Sequence, residues 1–421
     1  MAAVKTELTR AAVCPFCSLL CDDLVVVREG QALRVRKNGC PRALRGFGRV
    51  DRRIEPHVHG KPVPFEDAVA RAATILRSAS QPLITGMAAD VAGCRAAIAV
   101  AEACGAAVDH VHGDAALRNL RVLQSRGWML TTLAEVRNRA DVLLLVGTTA
   151  AEHYPRFFER FVWNRDCLDA AARRRRKVLF LGDAGRLPRG SRGRSEFIRC
   201  ANAQVPEMLA ALRAGIRGAW PQPGRQLTAR QLAALRRFAA MLKRARYGVV
   251  AWAPAELDAD DGDVVVRAIC DLVVDLNAHT RFSGLSLSGN DGGAACQNVT
   301  AWQSGVPPRV GYAGGAPAYE PLLHGTATMM RHGTADAVLW INSMNPDLRP
   351  PAGGVPTIAI ARPSRRLAHD TEVYLPVAAP GIDHPATLFR TDGVVSLPLR
   401  PLRRAVAPTA AEVLGAILKQ L

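Results

Sequence analysis

Aromatic side chains are scarce in this chain of 421 residues, making up only 5% of it. So few rings weaken any reading built on stacking against nucleic-acid bases. Long apolar runs are missing as well: 49% of the residues are hydrophobic, yet none of their runs reaches the roughly 18 residues of a membrane span. The opening residues, MAAVKTELTRAAVCPFC, hold no apolar core of signal-peptide length. A cytoplasmic protein with no membrane partner is therefore expected. In that reducing compartment the ten cysteines read as thiols or metal ligands rather than as disulfides. G-x-S-x-G, H-E-x-x-H and Walker A patterns are absent, and the carboxylates form no evident acid/base pair. Hydrolysis by this chain on its own is not expected.

Charge is what the chain has in excess, with a net +18. The run Arg173 to Lys177 and the Arg/Gly/Pro/Ser stretch 186–194 are the densest patches. A nucleic-acid partner is the usual inference from such a balance. Here no nucleic-acid motif accompanies the charge, and the arginine bias runs through the whole chain. The expectation is solvated faces plus an acidic partner subunit or polycarboxylate substrate, with no nucleic acid. Nucleic-acid binding remains a competing hypothesis that weak binding at low salt would remove.

Short apolar runs recur: PLITG (82–86), DVLLLVG (141–147), KVLFLGD (177–183), YGVVAWAP (247–254), DAVLWINS (336–343) and PTIAIARP (356–363). Each ends in small or turn-forming residues, as buried strands of a parallel sheet do. Helical spacing lies between them, at 65–79 and 227–244. The alternation predicts a doubly wound α/β architecture. Four segments are expected: a small β-rich, cysteine-rich module at 1–60, α/β subdomains at 61–245 and 246–370, and extended pieces with a final helix at 371–421. Residues 284–326, rich in Gly, Asn and Pro, read as a long loop near a ligand or partner.

Cys14, Cys17, Cys21 and Cys40 form C-x2-C-x3-C-x18-C. Three thiolates within eight residues, joined by a fourth from the end of a hairpin, suit a [4Fe–4S] cube whose irons each take one sulfur. Structural zinc is the main alternative, although four-cysteine zinc sites usually present two pairs. Bare thiols are the third reading. Cys94, Cys104 and Cys270 sit in Ala/Val/Ile segments and read as small core residues.

The sequence CPFCSLLCDDLVV followed by NGCPRA resembles the opening of the B subunit of formylmethanofuran dehydrogenase, in the molybdopterin-oxidoreductase superfamily. Further stretches agree in order: LITGMAADVAGCRAAIAVAEACGAAVDHVHG, LAEVRNRADVLLLVGTTAAEHYPRFFERF, AACQNVTAWQSGVPPRVGYAGGAPAYEP, DAVLWINSMNP and LFRTDGVVSLPLRPL. The resemblance covers nearly the whole chain and is strongest to the B subunit of the bacterial formyltransferase/hydrolase complex.

It implies an iron–sulfur module followed by molybdopterin-type α/β subdomains. The dehydrogenases carry a molybdenum or tungsten bis-pterin beside the cluster and interconvert carbon dioxide and formate. In the bacterial complex the formyl group passes from tetrahydromethanopterin to methanofuran and is hydrolysed to formate, with no redox step. The implied partners are a zinc amidohydrolase-like subunit, a formyltransferase-like subunit and a C-type subunit.

In the dehydrogenases a cysteine or selenocysteine ligand precedes a His-Gly pair. Here Val111 stands before His112 and Gly113, and valine has no lone pair for the metal. The resemblance then implies a non-redox scaffold, not catalytic by itself, without Mo/W bis-pterin. The alternative is an active redox subunit with cluster and bis-pterin, which the four cysteines favour.

His112 is the catalytic candidate by resemblance; its plainer reading is an ordinary hydrogen-bonding histidine. With His110 it makes an H-x-H pair that lacks a third zinc ligand. Asn298, Trp302 and Gly305 match the family's pterin-side loop, as Arg390 and Asp392 match its hairpin. Each has a plainer reading: a turn-rich loop for the first group, and an Asp392-Gly393 turn for the second.

Overall fold

The computed structural model describes residues 6–257 and 261–421. Residues 1–5, part of the expected N-terminal module, lie outside the description. The chain divides into two units. One takes the described residues through Gly113 together with Gly289–Leu421, and the other is Asp114–Ser288. These differ from the 61–245 and 246–370 subdomains expected. The reason lies in strand pairing: Pro82–Ala88 and Ala337–Asn342, assigned above to different subdomains, are parallel neighbours in one sheet.

The first unit is built on a nine-stranded sheet. Its five central strands are mutually parallel, in the order Ala107–Val108, Pro82–Ala88, Ala337–Asn342, Thr357–Ala361, Val373–Pro376. Side-chain alternation sorts the two faces. Ile84, Leu339, Ile341, Ile358 and Ile360 join one core with the helices Val91–Cys104, Gly293–Ser304 and Ala410–Leu418. Leu83, Val338, Trp340, Ala359 and Ala361 join another with Leu367 and Tyr374. Both faces being covered explains why these strands read as unbroken apolar runs. From Pro82–Ala88 the chain steps to Ala107–Val108 on one side, whereas Ala337–Asn342 leads on to Thr357–Ala361 on the other. The topological switch point, where open α/β sheets bind ligands, falls between Pro82–Ala88 and Ala337–Asn342.

The N-terminal segment forms a three-stranded antiparallel sheet, Thr6–Ala12, Leu24–Glu29 and Ala32–Lys37. A hairpin, Ala386–Phe389 with Ser396–Leu399, and the helix Ala410–Leu418 follow the last strand of the large sheet. A capping box of Thr409 and Glu412 starts that helix.

The second unit carries a five-stranded parallel sheet, in the order Ser195–Ile198, Lys177–Leu181, Val142–Val146, Tyr247–Trp252, Arg281–Ser286. Helices Val205–Ile216, Ala229–Lys243 and Gly262–Asn277 supply its core. The chain is thus a mixed α/β protein with two parallel-stranded sheets. Among the described residues no helix is long and apolar enough to cross a membrane.

The expected loop at 284–326 needs correcting, because it contains the helix Gly293–Ser304. Glycines that read as loop markers are the ends of this helix: Gly292 precedes it at φ 76° and Gly305 terminates it at φ 77°. Ala294, Ala295, Cys296, Val299 and Thr300 are buried. This small-residue face joins the core that also contains Cys94, Ala97 and Ile98.

Candidate functional site

Two constellations of the first unit meet in the segment 290–291. The first is the cysteine loop. Between Thr6–Ala12 and Leu24–Glu29 the chain turns tightly, with Cys14 N–H donating to Cys21 O at 2.8 Å and Leu20 N–H to Cys17 O at 3.1 Å. Leu20 takes the left-handed φ of 45° that this turn demands. The hairpin Leu24–Glu29/Ala32–Lys37 then brings the chain back. Asn38 Nδ2 donates to Asp23 O at 2.7 Å, and Cys40 caps the helix Pro41–Gly48, its Sγ accepting from Ala43 N–H at 3.5 Å. A thiolate at that position would also face the positive end of the helix.

All four thiols are buried. Burial, and after it the neighbouring Cys17, push the Cys14 thiol well above its usual range. Cys17 is pushed up to about 12 by burial and then by Cys21. Unmetallated, these groups are protonated at neutral pH, so a bound metal must displace protons. Among the described residues no three His, Cys, Asp or Glu side chains are set to hold a single metal ion. Cys17, Cys21 and Cys40 are close enough to Cys14 to raise its pKa. Four adjacent buried cysteines are the donor set that a cube, in which each thiolate meets a different iron, would take.

The loop is latched from both sides. Asn290 Oδ1 accepts from Ser18 N–H at 3.0 Å and from Ser18 Oγ at 3.2 Å. On the other side, Thr391 N–H donates to Ser18 O at 2.8 Å. Thr391 belongs to the hairpin turn that was expected to hold pterin. There Arg390 pairs with its own neighbour Asp392 at 2.7 Å, and Gly393 turns the chain at φ 71°. Arg390 and Asp392 thus sit in a turn whose Thr391 reaches the cysteine loop.

The second constellation surrounds His112. Beyond Ala107–Val108 the pairing continues, with Asp109 N–H to Ile84 O at 3.0 Å and Val111 N–H to Gly86 O at 3.1 Å. Val111 and His112 therefore lie just past the carboxyl end of a parallel strand, beside the switch point. His112 Nε2 donates to Asp291 Oδ2 at 2.8 Å, and Asn345 Nδ2 donates to Asp291 Oδ1 at 3.0 Å. Burial opposes ionisation of Asp291, but these bonds and the neighbouring imidazoles bring its carboxyl below the usual range.

Behind His112, His110 has both ring nitrogens engaged. Nδ1 accepts from His112 N–H at 3.0 Å, so Nε2 carries the proton given to Asp291 O at 3.0 Å. Burial, then His112, lower its pKa to about 4, which holds it neutral. This removes the H-x-H pair as a metal site. His112 is instead a histidine oriented by a carboxylate, and no thiol stands at Val111.

Asn298 and Gly305 are not part of either constellation. Asn298 Nδ2 donates to Ala294 O one turn back in its own helix, and Gly305 is that helix's end. Trp302, 53% exposed, packs its ring near Phe389. Asp291, Asn290 and Asn345 escaped the sequence reading. The SGND segment signalled a turn, but its contacts lie 179 and 272 residues away.

No family model matches the chain. It is 32% identical over 329 residues to the B subunit of the formyltransferase/hydrolase complex Fhc of Methylorubrum extorquens, across 77% of this chain and 85% of that protein. It is 26% identical over 449 residues to the B subunit of tungsten-containing formylmethanofuran dehydrogenase 2 of Methanocaldococcus jannaschii, across 99% of each. The structure matches a chain in the crystal structure of the M. extorquens formyltransferase/hydrolase complex with methylofuran. The TM-score is 0.74 at 29% identity, over 86% of this chain and 98% of that one. The chain thus belongs to the family of B subunits found in formyltransferase/hydrolase complexes and related to those of formylmethanofuran dehydrogenases.

Proposed function

We propose that this chain is a non-redox B subunit of a formyltransferase/hydrolase complex, which releases formate from a methanofuran-type carrier. Val111 carries the reading. It sits beside the switch point, where the dehydrogenases place a soft sulfur or selenium ligand, and its side chain offers a metal nothing. The neighbouring His112 is held by Asp291 and has no thiol beside it. The chain acts as a scaffold for a zinc amidohydrolase-like subunit, a formyltransferase-like subunit and a C-type subunit, without Mo/W bis-pterin.

Cys14, Cys17, Cys21 and Cys40 hold a [4Fe–4S] cluster that rigidifies the N-terminal module. The adjacency and burial of the four thiols support this assignment. When bound, such a cluster supplies one-electron chemistry. Its contribution in this chain is structural, because Val111 denies a neighbouring Mo/W centre its soft ligand.

The test is metal analysis of the complex purified without oxygen. About four irons per chain with neither tungsten nor molybdenum supports the cluster-bearing scaffold. Stoichiometric tungsten or molybdenum overturns the argument from Val111 and makes the chain a formate-forming redox subunit. Absence of iron as well leaves a scaffold whose cysteines are a relic.

A further inference from the structure

The second unit leaves one side of its sheet open. Ser195–Ile198 is an outer strand of the five-stranded sheet, and among the described residues it pairs only with Lys177–Leu181. Val178 N–H donates to Arg194 O at 2.9 Å and Gly182 N–H to Ile198 O at 3.0 Å, so the even-numbered residues turn their main-chain groups toward that neighbour. Those of Ser195 and Phe197 therefore face away from the sheet. Both residues are half-buried, and the Phe197 ring stacks on Phe180 at 4.8 Å. An open edge of this kind is a template on which another strand can pair.

Charge decides which strand can do so. Arg174, Arg175, Lys177, Arg192 and Arg194 are exposed around the amino end of this edge, and Arg199 is exposed just past its carboxyl end. Lys177 Nζ donates to Gly193 O at 3.1 Å, which gathers the first group. Arg176, in the middle of the same run, is buried instead and gives its guanidinium to the carbonyl oxygens of Arg137, Ala140 and Val162. None of the six exposed cations pairs with a carboxylate among the described residues. Two of them lie over rings, Arg194 at 5.5 Å from the Trp163 centroid and Arg199 at 5.6 Å from that of Phe197, which fixes where their guanidiniums stand. Beside Arg194, the Trp163 indole N–H and the Ser195 hydroxyl are buried without a hydrogen-bond partner among the described residues. The chain does not complete the hydrogen bonding of this corner by itself. A second copy of the chain, equally basic, is repelled from such an edge. The bases of a nucleic acid would find both rings already covered by arginine.

We infer that the outer side of Ser195–Ile198 docks an extended, acidic segment of a partner polypeptide, whose main chain pairs with Ser195 and Phe197 and whose carboxylates meet Arg194 and Arg199. The surface lies wholly in the second unit, so it stands apart from the metal content of the first. The test uses the full chain and a fluorescent octapeptide of alternating glutamate and threonine, at about 0.15 M salt. Saturable binding is expected, with amide hydrogen exchange slowed at Ser195 and Phe197 on saturation. Arg194→Glu together with Arg199→Glu should weaken binding at least about tenfold. Arg331→Glu, on the exposed end of the helix Thr326–His332 in the first unit, should leave it unchanged. The same peptide with alternate amides N-methylated keeps its charge, loses those donors, and should bind at least about tenfold more weakly. No saturation, equal affinity for an oligothymidylate, or saturation without slowed exchange at the two amides overturns the inference.

Discussion

Asn290 Oδ1 accepts two hydrogen bonds from Ser18, one from the backbone N–H and one from the hydroxyl, across 272 residues of chain. This side chain ties the loop that holds Cys14, Cys17 and Cys21 to the segment that holds Asp291.

Asn290→Ala should therefore loosen the cysteine loop while leaving the sheets intact. Loss of the acceptor removes both bonds from Ser18, each worth about 0.5–1.5 kcal/mol. Two measurements follow: the urea midpoint, and the rate at which the metal-free protein reacts with a thiol reagent. Labelling of the loop cysteines at the wild-type rate would show that the latch is not needed.

Acid should destabilise the protein through His110. Its folded pKa is lowered to about 4, against about 6.5 unfolded. Between those values the unfolded chain takes up a proton that the folded one refuses, so stability is fully present above pH 6.5 and falls as pH drops toward 4. The loss is on the order of 3 kcal/mol. Asp291 adds its own loss lower down, since a carboxyl depressed below about 3.9 gives stability that disappears as pH falls through its folded value. His110→Gln should flatten the decline between pH 6.5 and 4; chemical denaturation of both proteins at several pH values measures it.

Asp51→Asn should be among the most damaging single changes in the first unit. It leaves the Arg49, Arg362 and Arg403 guanidiniums with the Asp383 carboxylate alone. Removing one partner from a buried ionic network typically costs about 3–5 kcal/mol. A melting temperature within a degree of wild type would contradict the pairing described.

Two glycines with nearly equal φ should respond differently to alanine. At Gly86, φ 79°, a Cβ would stand 2.6 Å from Ile341 O and 2.8 Å from the Trp340 ring. At Gly305, φ 77°, it would meet nothing within 4 Å. Gly305→Ala should cost only the left-handed backbone penalty, about 1–2 kcal/mol, and Gly86→Ala clearly more. Parallel unfolding curves for the two variants test this. A Gly305→Ala protein that folds normally but loses a bound ligand would return that residue to a binding role.

The buried strands were plain in the sequence because each is apolar on both faces: 82–86, 141–147, 177–183, 247–254, 336–343 and 356–363 all contain strands. The helix 293–304 was not, since its Gly, Asn and Ala content reads as loop when the neighbour that buries the small face is out of view. A hairpin, which is a local device, brings Cys40 near the other three thiols. Asp291 was out of reach. Its role depends on a positive φ of 52° and on a histidine 179 residues away, and neither leaves a periodic trace. For Arg390 and Asp392, pattern alone could not separate a pterin contact from a turn; the two pair with each other, and Thr391 between them donates to Ser18 O.

Because residues 114–288 are inserted within the first unit, the order of synthesis matters for the cysteines. Cys14 to Cys40 leave the ribosome early, but Asn290 follows Ser18 by 272 residues and Thr391 comes later still. At about 5–20 residues per second the delay is on the order of tens of seconds. For that time the thiols are untethered and open to oxidants and stray metals. Any cluster delivered to the nascent chain would have to be held by the quartet alone, whereas delivery after release would meet thiols already closed in.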